Sequence, residues 1–229
     1  MNHGTIHGMS PPCPLCESQS SSLFHESFQK NLQRKYWQCP DCDLVFVPDQ
    51  YHLDLAAEKA RYLAHHNDPN DPGYREFLMR LWGAFEPYIS TGSVGLDYGS
   101  GPGPALAMMM REAGFDVRLY DPIFSPDRSV LESRYDFITC TETAEHFSSP
   151  KNEFQLFERL LKPGGRIGIM TGMRESWDGF PEWRYQRDET HLSFYSQRSM
   201  RWIAQKHGWN PLFPRENVVL FQKPFESCV

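Results

Sequence analysis

The sequence VGLDYGSGPGPA, residues 94–105, decides the fold of this chain. Its first five residues are mostly apolar and predict a β-strand, and the three glycines at alternate positions predict a tight turn. Pro104 suits the first turn of a helix, which we expect over 103–113. Glycine lets a backbone approach a ligand closely or adopt angles that a Cβ atom forbids. A strand, a glycine turn and a helix in this order are typical of a nucleotide-like cofactor site in an α/β protein.

The turn itself disfavours phosphate. A dinucleotide fingerprint needs a third glycine at position 104, where this chain has Pro104, and no Lys-Ser/Thr pair of a P-loop follows. Asp97, at the end of the strand, would repel a pyrophosphate and attract a cation. Asp121 ends the next apolar strand, where an acid can accept hydrogen bonds from both hydroxyls of a ribose. These residues predict a nucleoside cofactor with a positive charge and no phosphate, which makes an NAD-linked oxidoreductase the least favoured interpretation.

Strands and helices alternate on both sides of this stretch. We expect strands over 94–98, 115–120, 135–140 and 166–170, with helices between them and a further helix over 197–207. This alternation predicts an α/β fold with a Rossmann-like, doubly wound and mostly parallel sheet, whose ligands bind at the carboxyl ends of the strands.

Two Cys-Pro-x-Cys turns precede this domain, at residues 13–16 and 39–42. Each turn can aim two thiolates at one point, and two such turns complete a tetrahedron around Zn²⁺. The alternative is a set of redox dithiols or unrelated free thiols, which the matching turns disfavour. The sequence therefore predicts a small N-terminal zinc ribbon whose ligands are Cys13, Cys16, Cys39 and Cys42.

The chain divides into four predicted parts: a disordered lead-in over 1–12, the zinc ribbon over 13–48, a helical connection over 49–92 and the sheet domain over 93–229. Asp71 and Pro72 are expected to start the second connecting helix. The pair His65-His66 follows the first connecting helix and is either exposed or folded over the cofactor. A length of 229 residues suits one α/β domain with a small appendage.

Composition limits the partners of this chain. The formal net charge is −6, which gives no global reason to bind nucleic acid. The small basic cluster of Lys30, Arg34 and Lys35 is typical of a solvated face. We find no apolar stretch long enough to span a membrane and no signal peptide, so we expect a cytoplasmic protein without membrane contact.

At the glycine turn the chain resembles the class I S-adenosylmethionine-dependent methyltransferases, whose first motif D-x-G-x-G-x-G matches residues 97–103. Asp121, YDFITCTETAEHF at 135–147 and LKPGGRIGI at 161–169 match in the same order. Together with the ribbon, the chain is similar to methyltransferases of the ubiquinone-biosynthesis type that carry a zinc-binding N-terminal module. The resemblance extends from about residue 74 to the end of the chain.

The resemblance implies that S-adenosylmethionine is the cofactor, with the glycine turn at its methionine moiety and Asp121 at its ribose. The implied cofactor residues are Asp97, Gly99, Ser100, Gly101, Asp121, Thr141 and Glu142. One departure concerns the segment between Asp121 and Tyr135, which is too short for the usual helix, third strand and helix. We expect the sheet to lack that strand, and Ile123 and Phe124 to cover the adenine through apolar contact.

The chemistry is expected after the fourth and fifth strands. Glu145-His146 is either a catalytic pair or a structural part of the pocket wall. The long segment 171–196 is expected to cover the acceptor. In it, His191 can act as a general base oriented by Asp188 or Glu189, or it can simply hydrogen-bond the loop. The candidate catalytic residues are His191, Glu145 and His146, and the candidate residues for binding an anionic acceptor are Arg184, Tyr185 and Arg187.

These observations favour an S-adenosylmethionine-dependent methyltransferase acting on a small molecule, with O-, C- and N-methylation all open. The first alternative is a ribosomal-RNA methyltransferase, which would need a basic face. The second is a zinc- or cofactor-binding interaction protein without catalysis, which would have no acceptor pocket beside the methyl group.

Overall fold

The computed structural model describes residues 10–29, 32–64 and 67–226. Residues 1–9 of the predicted lead-in, Lys30 and the pair His65-His66 lie outside the described residues. The strands are β1 (Ser22–Gln29), β2 (Leu32–Gln38), β3 (Val45–Phe46), β4 (Val94–Tyr98), β5 (Asp116–Tyr120), β6 (Tyr135–Thr141), β7 (Leu161–Met170), β8 (Met173–Arg174), β9 (Ser193–Ser196), β10 (Asn210–Arg215) and β11 (Val218–Gln222). The α-helices are α1 (Leu55–Leu63), α2 (Pro72–Phe85), α3 (Ala105–Glu112), α4 (Pro150–Leu160) and α5 (Gln197–His207).

The main sheet has the order β10-β11-β7-β6-β4-β5. Its four central strands β7, β6, β4 and β5 are parallel, whereas β11 pairs antiparallel with β7 and β10 antiparallel with β11. The predicted Rossmann-like, mostly parallel sheet is confirmed. Because the parallel strands run in one direction, the residues after β4, β5 and β6 meet at one edge.

The main sheet lacks the third strand, as the short segment predicted. Residues 121–134 are fully described and contain a single 3₁₀ segment, Arg128–Glu132, and no strand of a ladder. Asp121 forms an isolated bridge with Ser125, so the chain turns back at once after β5. This leaves β5 at the edge of the sheet.

The second connecting helix starts at its predicted cap. Asp71 accepts a hydrogen bond from the Tyr74 amide at the start of α2, with Pro72 in the first turn. α2 buries an apolar face against α3 and β7, whereas α1 contains no buried residue. None of the helices in the described part of the chain is both long and apolar enough to cross a membrane.

A second sheet joins the N-terminal segment to the segment after β7. Its order is β1-β2-β3-β9-β8, and β3 pairs antiparallel with β9 through Val45–Phe194 and Phe46–Ser193. The residues buried between them come from both segments: Tyr36, Val45, Val47, Phe180, Leu192 and Phe194. The N-terminal segment has too little apolar material for a core of its own, and it packs in a core that it shares with residues 180–194.

Candidate functional site

A cavity of about 570 Å³ opens at the carboxyl ends of β4, β5 and β6. The glycine turn at 99–103, residues 121–124 after β5 and residues 141–148 after β6 line one side of the cavity. Residues of α1 and of the start of α2 line the other side, and Asp188 and His191 reach it from the segment after β7. This is the edge at which doubly wound sheets bind their ligands.

The glycine turn needs its glycines. Gly99 and Gly101 have φ angles of 76° and 63°, in the left-handed region that side chains disfavour. A Cβ atom on Gly99 would also lie 2.1 Å from Thr143 Cγ2. The turn therefore keeps its backbone close to residues 141–143 and leaves the cavity open in front of it.

Asp97 is buried beneath the turn and lines the cavity. Its Oδ1 accepts a hydrogen bond from Thr139 Oγ1 at 2.8 Å, which ties β4 to β6. Burial raises the pKa of this carboxyl to about 6. A cation bound in the cavity would stabilise the ionised form and lower that pKa again.

Asp121 connects the end of β5 to the glycine turn. Its Oδ2 accepts a hydrogen bond from the Gly101 amide at 3.0 Å, and its Oδ1 accepts from the amides of Ile123 at 2.8 Å and Phe124 at 2.9 Å. Each carboxylate oxygen can accept two hydrogen bonds, so Oδ2 keeps an acceptor position for a ligand hydroxyl.

Three buried polar atoms around the cavity have no hydrogen-bond partner among the described residues. They are Ser100 Oγ, Thr141 Oγ1 and Glu145 Oε1, and all three residues line the cavity. Buried polar groups in folded proteins are nearly always paired. Their clustering indicates a polar ligand that supplies the missing partners, and the residues present fit a nucleoside that also carries amino-acid groups.

Glu145, His146 and His191 converge on one point of the cavity, where one donor atom from each lies within 4.8 Å of the others. Glu145 is fully buried, and its Oε2 accepts a hydrogen bond from Thr171 Oγ1 at 2.7 Å. The two imidazole rings are 4.9 Å apart. Such a cluster can accept a proton from a ligand or hold a cation.

Backbone carbonyls fix the tautomers of both histidines. His191 Nδ1 donates to the Tyr185 carbonyl at 2.7 Å and His146 Nδ1 donates to the Thr190 carbonyl at 3.0 Å, which leaves each Nε2 as an acceptor. Burial lowers the pKa of His191 to about 4, so this ring is neutral at physiological pH.

The expected orientation of His191 by Asp188 or Glu189 is wrong. Asp188 Oδ2 instead accepts a hydrogen bond from Arg61 at 2.8 Å, and its Oδ1 accepts from the amide and hydroxyl of Thr190. The Asp188 carboxylate is thus used to join α1 to the segment after β7, and the Tyr185 carbonyl takes the Nδ1 proton of His191.

The candidate acceptor-binding residues Arg184, Tyr185 and Arg187 do not line the cavity. Arg184 and Arg187 are exposed on the outer side of the segment. The Tyr185 hydroxyl accepts a hydrogen bond from the Gly172 amide at 2.9 Å, and its ring stacks on Trp183. The structure gives no support to an anion-binding role for these side chains.

The charge of the cavity lining is one-sided. Among the described residues the lining contains no lysine or arginine and seven carboxylates: Glu58, Asp97, Asp121, Glu142, Glu145, Glu153 and Asp188. Burial, followed by the nearby Glu145 carboxylate, raises the pKa of Glu142 to about 9. This acidic lining favours a cationic ligand over an anionic one.

Sequence reasoning missed Glu58 and Tyr62 of α1, although their i, i+4 spacing on a helix places them on one face.

The four predicted cysteine ligands form one cluster. Cys13 Sγ lies 3.5 Å from Cys42 Sγ and Cys16 Sγ lies 3.4 Å from Cys39 Sγ, and all four sulfurs lie within 4.8 Å of one another. Four thiolates around Zn²⁺ with bonds of about 2.3 Å are about 3.8 Å apart. The four thiol ligands and the distances between their sulfur atoms therefore fit zinc.

The two cysteine turns share one backbone design. In each turn the residue after the second cysteine, Glu17 or Asp43, has a φ of 62° and donates its amide to the carbonyl of the first cysteine. The repeated geometry keeps both pairs of thiols aimed inward.

Arg34 of β2 connects the cysteine-bearing sheet to the cavity. Its buried guanidinium donates to the backbone carbonyls of Gln186 at 2.8 Å, Asp188 at 2.8 Å and Glu189 at 3.1 Å. The Tyr36 hydroxyl donates to the same Gln186 carbonyl at 2.8 Å. These bonds fix the backbone that leads to His191.

Comparison with known proteins agrees with this architecture. The family model described as "Methyltransferase domain" matches residues 63–212. The ubiquinone biosynthesis O-methyltransferase of Cronobacter sakazakii is 29% identical over 85 residues, which are 36% of this chain and 35% of that protein. The protein of the same name from Pseudomonas syringae pv. syringae is 31% identical over 78 residues, 34% of this chain and 33% of that protein. The chain thus spans about a third of the length of these curated relatives.

Two solved structures share the fold. The 1,6-didemethyltoxoflavin-N1-methyltransferase of Burkholderia thailandensis, with bound 1,6-didemethyltoxoflavin and S-adenosylhomocysteine, is 17% identical with a TM-score of 0.52, covering 82% of this chain and 98% of that one. The PH0226 protein of Pyrococcus horikoshii is 14% identical with a TM-score of 0.54, covering 72% and 98%. At these identities the likeness concerns the fold.

Proposed function

We propose that this chain, which belongs to the methyltransferase domain family, transfers the methyl group of S-adenosylmethionine to a small-molecule acceptor. The observation that carries the proposal is one acid-lined cavity that brings the glycine turn and Asp121 together with the cluster of Glu145, His146 and His191. The first group suits a donor, and the second suits the atom that receives the methyl group.

The donor supplies an electrophilic methyl group on a positively charged sulfur. Asp121 would accept a hydrogen bond from a ribose hydroxyl, and the turn with Ser100 would hold the methionine part together with Thr141 and Glu142. The unpaired hydroxyls of Ser100 and Thr141 would gain partners there. Asp97 and the other carboxylates offset the positive charge of the sulfonium.

The acceptor in this proposal is neutral or cationic and carries a hydroxyl or amine. An anion would face seven acidic side chains, and the described lining residues include no lysine or arginine to offset the charge of the ionised ones. This replaces the expectation that Arg184 and Arg187 hold an anionic acceptor. The acceptor would bind beside the cluster, where the ring of Tyr62 from α1 lies 5.1 Å from that of His146.

His191 is the proposed general base. Its neutral imidazole has Nε2 as an acceptor, while Nδ1 is held by the Tyr185 carbonyl. In-line methyl transfer depends mainly on alignment, and a base is needed when the acceptor must lose a proton. Glu145 and His146 would orient the acceptor, and the buried Glu145 carboxylate would stabilise His191 once it is protonated.

Both alternative functions are disfavoured by particular features of the cavity. A ribosomal-RNA substrate would bring phosphates to an acid-lined opening on a chain with a net charge of −6. A non-catalytic binding protein would not need the cluster of Glu145, His146 and His191 beside the donor site.

We also propose that Cys13, Cys16, Cys39 and Cys42 bind a structural zinc ion. Zinc would fix the two cysteine turns and, with them, the neighbouring strands β2 and β3. Arg34 of β2 and the pairing of β3 with β9 would then hold the segment 186–194. In this proposal the ribbon stabilises the segment that carries His191 at the acceptor side of the cavity.

Donor binding is tested by calorimetry with S-adenosylhomocysteine. Asp121→Asn keeps the shape but replaces an acceptor oxygen by an amide, so we expect its Kd to rise about tenfold or more, the usual effect of losing a charged hydrogen bond. The control Asp116→Asn changes an exposed residue at the other end of β5 and should bind like the wild type. Equal affinity of Asp121→Asn, or a wild type that binds NAD and not S-adenosylhomocysteine, would contradict the proposal.

The base is tested with His191→Asn, whose amide can still donate to the Tyr185 carbonyl. Once an acceptor has been found by screening metabolite extracts with methyl-labelled S-adenosylmethionine, we expect kcat/KM to fall by about 10²–10⁴ with the Kd of S-adenosylhomocysteine unchanged. Arg184→Ala and Arg187→Ala should retain wild-type turnover because both side chains lie outside the cavity. A wild-type rate for His191→Asn would exclude the role.

The pKa of His191 also predicts a pH dependence of stability. The folded pKa of His191, about 4, lies below the unfolded value of 6.5, so on acidification the unfolded chain binds a proton at this residue before the folded chain does. His191 therefore lowers the free energy of unfolding as the pH falls from about 6.5 to about 4. Urea unfolding should show a smaller loss of stability over this window in His191→Asn than in the wild type. Parallel pH profiles would rule out the neutral, buried imidazole.

Zinc is tested by metal analysis of purified protein. We expect about one zinc per chain in the wild type, and loss of zinc with a lower melting temperature in Cys39→Ser, because three thiolates no longer close the tetrahedron. Cys140→Ala removes a buried thiol outside the cluster and should keep its zinc. Unchanged zinc in Cys39→Ser would refute the site.

A further inference from the structure

The segment after β5 offers the adenine of the proposed donor no polar side chain beyond Asp121. The cavity residues that follow Asp121 are Pro122, Ile123 and Phe124, all apolar. The amides of Ile123 and Phe124 already donate to Asp121 Oδ1. Since the third strand is missing, no later residue of the segment 125–134 lines the cavity. The exocyclic amine of an adenine covered by Ile123 and Phe124 needs an acceptor from another element.

Glu153 of α4 supplies a carboxylate to the same cavity. Its Oε2 accepts a hydrogen bond from the Tyr98 hydroxyl, which among the described residues is the only hydrogen-bond partner of the Glu153 side chain. Oε1 is therefore available to a ligand. The side chain is partly buried, and this burial raises the pKa of the Glu153 carboxyl.

The contacts of Tyr98 place this carboxylate next to the end of β5. The ring of Tyr98 lies 5.1 Å from that of Tyr120, the residue before Asp121, and the two residues are paired in the sheet. The Tyr98 ring also packs 4.9 Å from the ring of Phe157 of α4. These contacts connect Glu153 of α4, through Tyr98, to the end of β5 that carries Asp121.

We infer that Glu153, held by Tyr98, accepts a hydrogen bond from the exocyclic amine of the donor's adenine and makes the site selective for adenosine over inosine. A carboxylate accepts hydrogen bonds and donates none, so it pairs with the 6-amino group of adenine and repels the 6-oxo group of hypoxanthine. Discrimination of this kind is strong, because a mismatch leaves a buried polar group unpaired. The inference rests on the proposed function, since it concerns the same donor.

The test is calorimetric titration of the full chain with S-adenosylhomocysteine and with S-inosylhomocysteine. We expect the wild type to prefer the adenosine compound by about tenfold or more. Glu153→Gln keeps an oxygen for the Tyr98 hydroxyl and adds an amide that can donate to a 6-oxo group, so the preference should shrink by about tenfold or reverse. Glu158→Gln makes the same change on α4 outside the cavity and should keep the wild-type preference.

The outcomes separate the two proposals. Equal affinity of the wild type for both compounds, or a preference that Glu153→Gln leaves unchanged, overturns the role of Glu153 while methyl transfer stands. A wild type that binds neither compound removes the donor site and the inference together. If Glu153→Gln melts at a much lower temperature, the variant Tyr98→Phe is measured instead. It keeps the packed ring but no longer holds the Glu153 carboxylate by a hydrogen bond, so the preference for the adenosine compound over the inosine compound should still shrink. An unchanged ratio in that variant also overturns the inference.

Discussion

The buried guanidinium of Arg34 connects two parts of the chain that lie 152–155 residues apart. It donates to three backbone carbonyls of one short stretch, those of Gln186, Asp188 and Glu189, and hydrogen bonds to a charged group contribute about 1.5–3 kcal/mol each. The same stretch carries the carbonyl of Tyr185 that holds His191, and its next strand pairs with β3. The N-terminal segment and the acceptor side of the cavity therefore depend on each other. A zinc ion in the cysteine cluster would act on the cavity through this connection.

The charges of the cavity favour one kind of chemistry. Burial raises the pKa values of Asp97 and Glu142, with a further contribution from neighbouring carboxylates, and a bound cation would lower these pKa values again. His191 is neutral for the same reason, because burial disfavours its charged form. A cationic donor and a neutral base then coexist without a competing positive charge. The preference for a cationic donor and the neutral state of His191 support methyl transfer from a sulfonium to a hydroxyl or amine.

Much of the fold could be predicted from the sequence because its signals are local. The alternation of apolar runs gave the parallel strands, and the count of residues between Asp121 and Tyr135 predicted the missing third strand. The spacing of the cysteines predicted a cluster that the structure forms. The glycine turn placed the cavity at the correct sheet edge.

The remaining features depend on contacts that leave no local signal. The pairing of Val45 with Phe194 joins strands that are distant in sequence, and nothing in either strand names its partner. His191 is oriented by a backbone carbonyl, which any residue at position 185 would supply. The arginines of the segment 184–187 suggested an anion site because their exposure cannot be read from the sequence. Glu153 was overlooked because an acid near the start of a helix is ordinarily explained by the helix dipole.

A crystal structure of the protein grown with S-adenosylhomocysteine tests the central claim most directly. We predict a ribose hydroxyl within hydrogen-bond distance of Asp121 Oδ2 and the sulfur facing the space beside Glu145, His146 and His191. A ligand bound outside this cavity, or one whose sulfur faces away from the cluster, would contradict it.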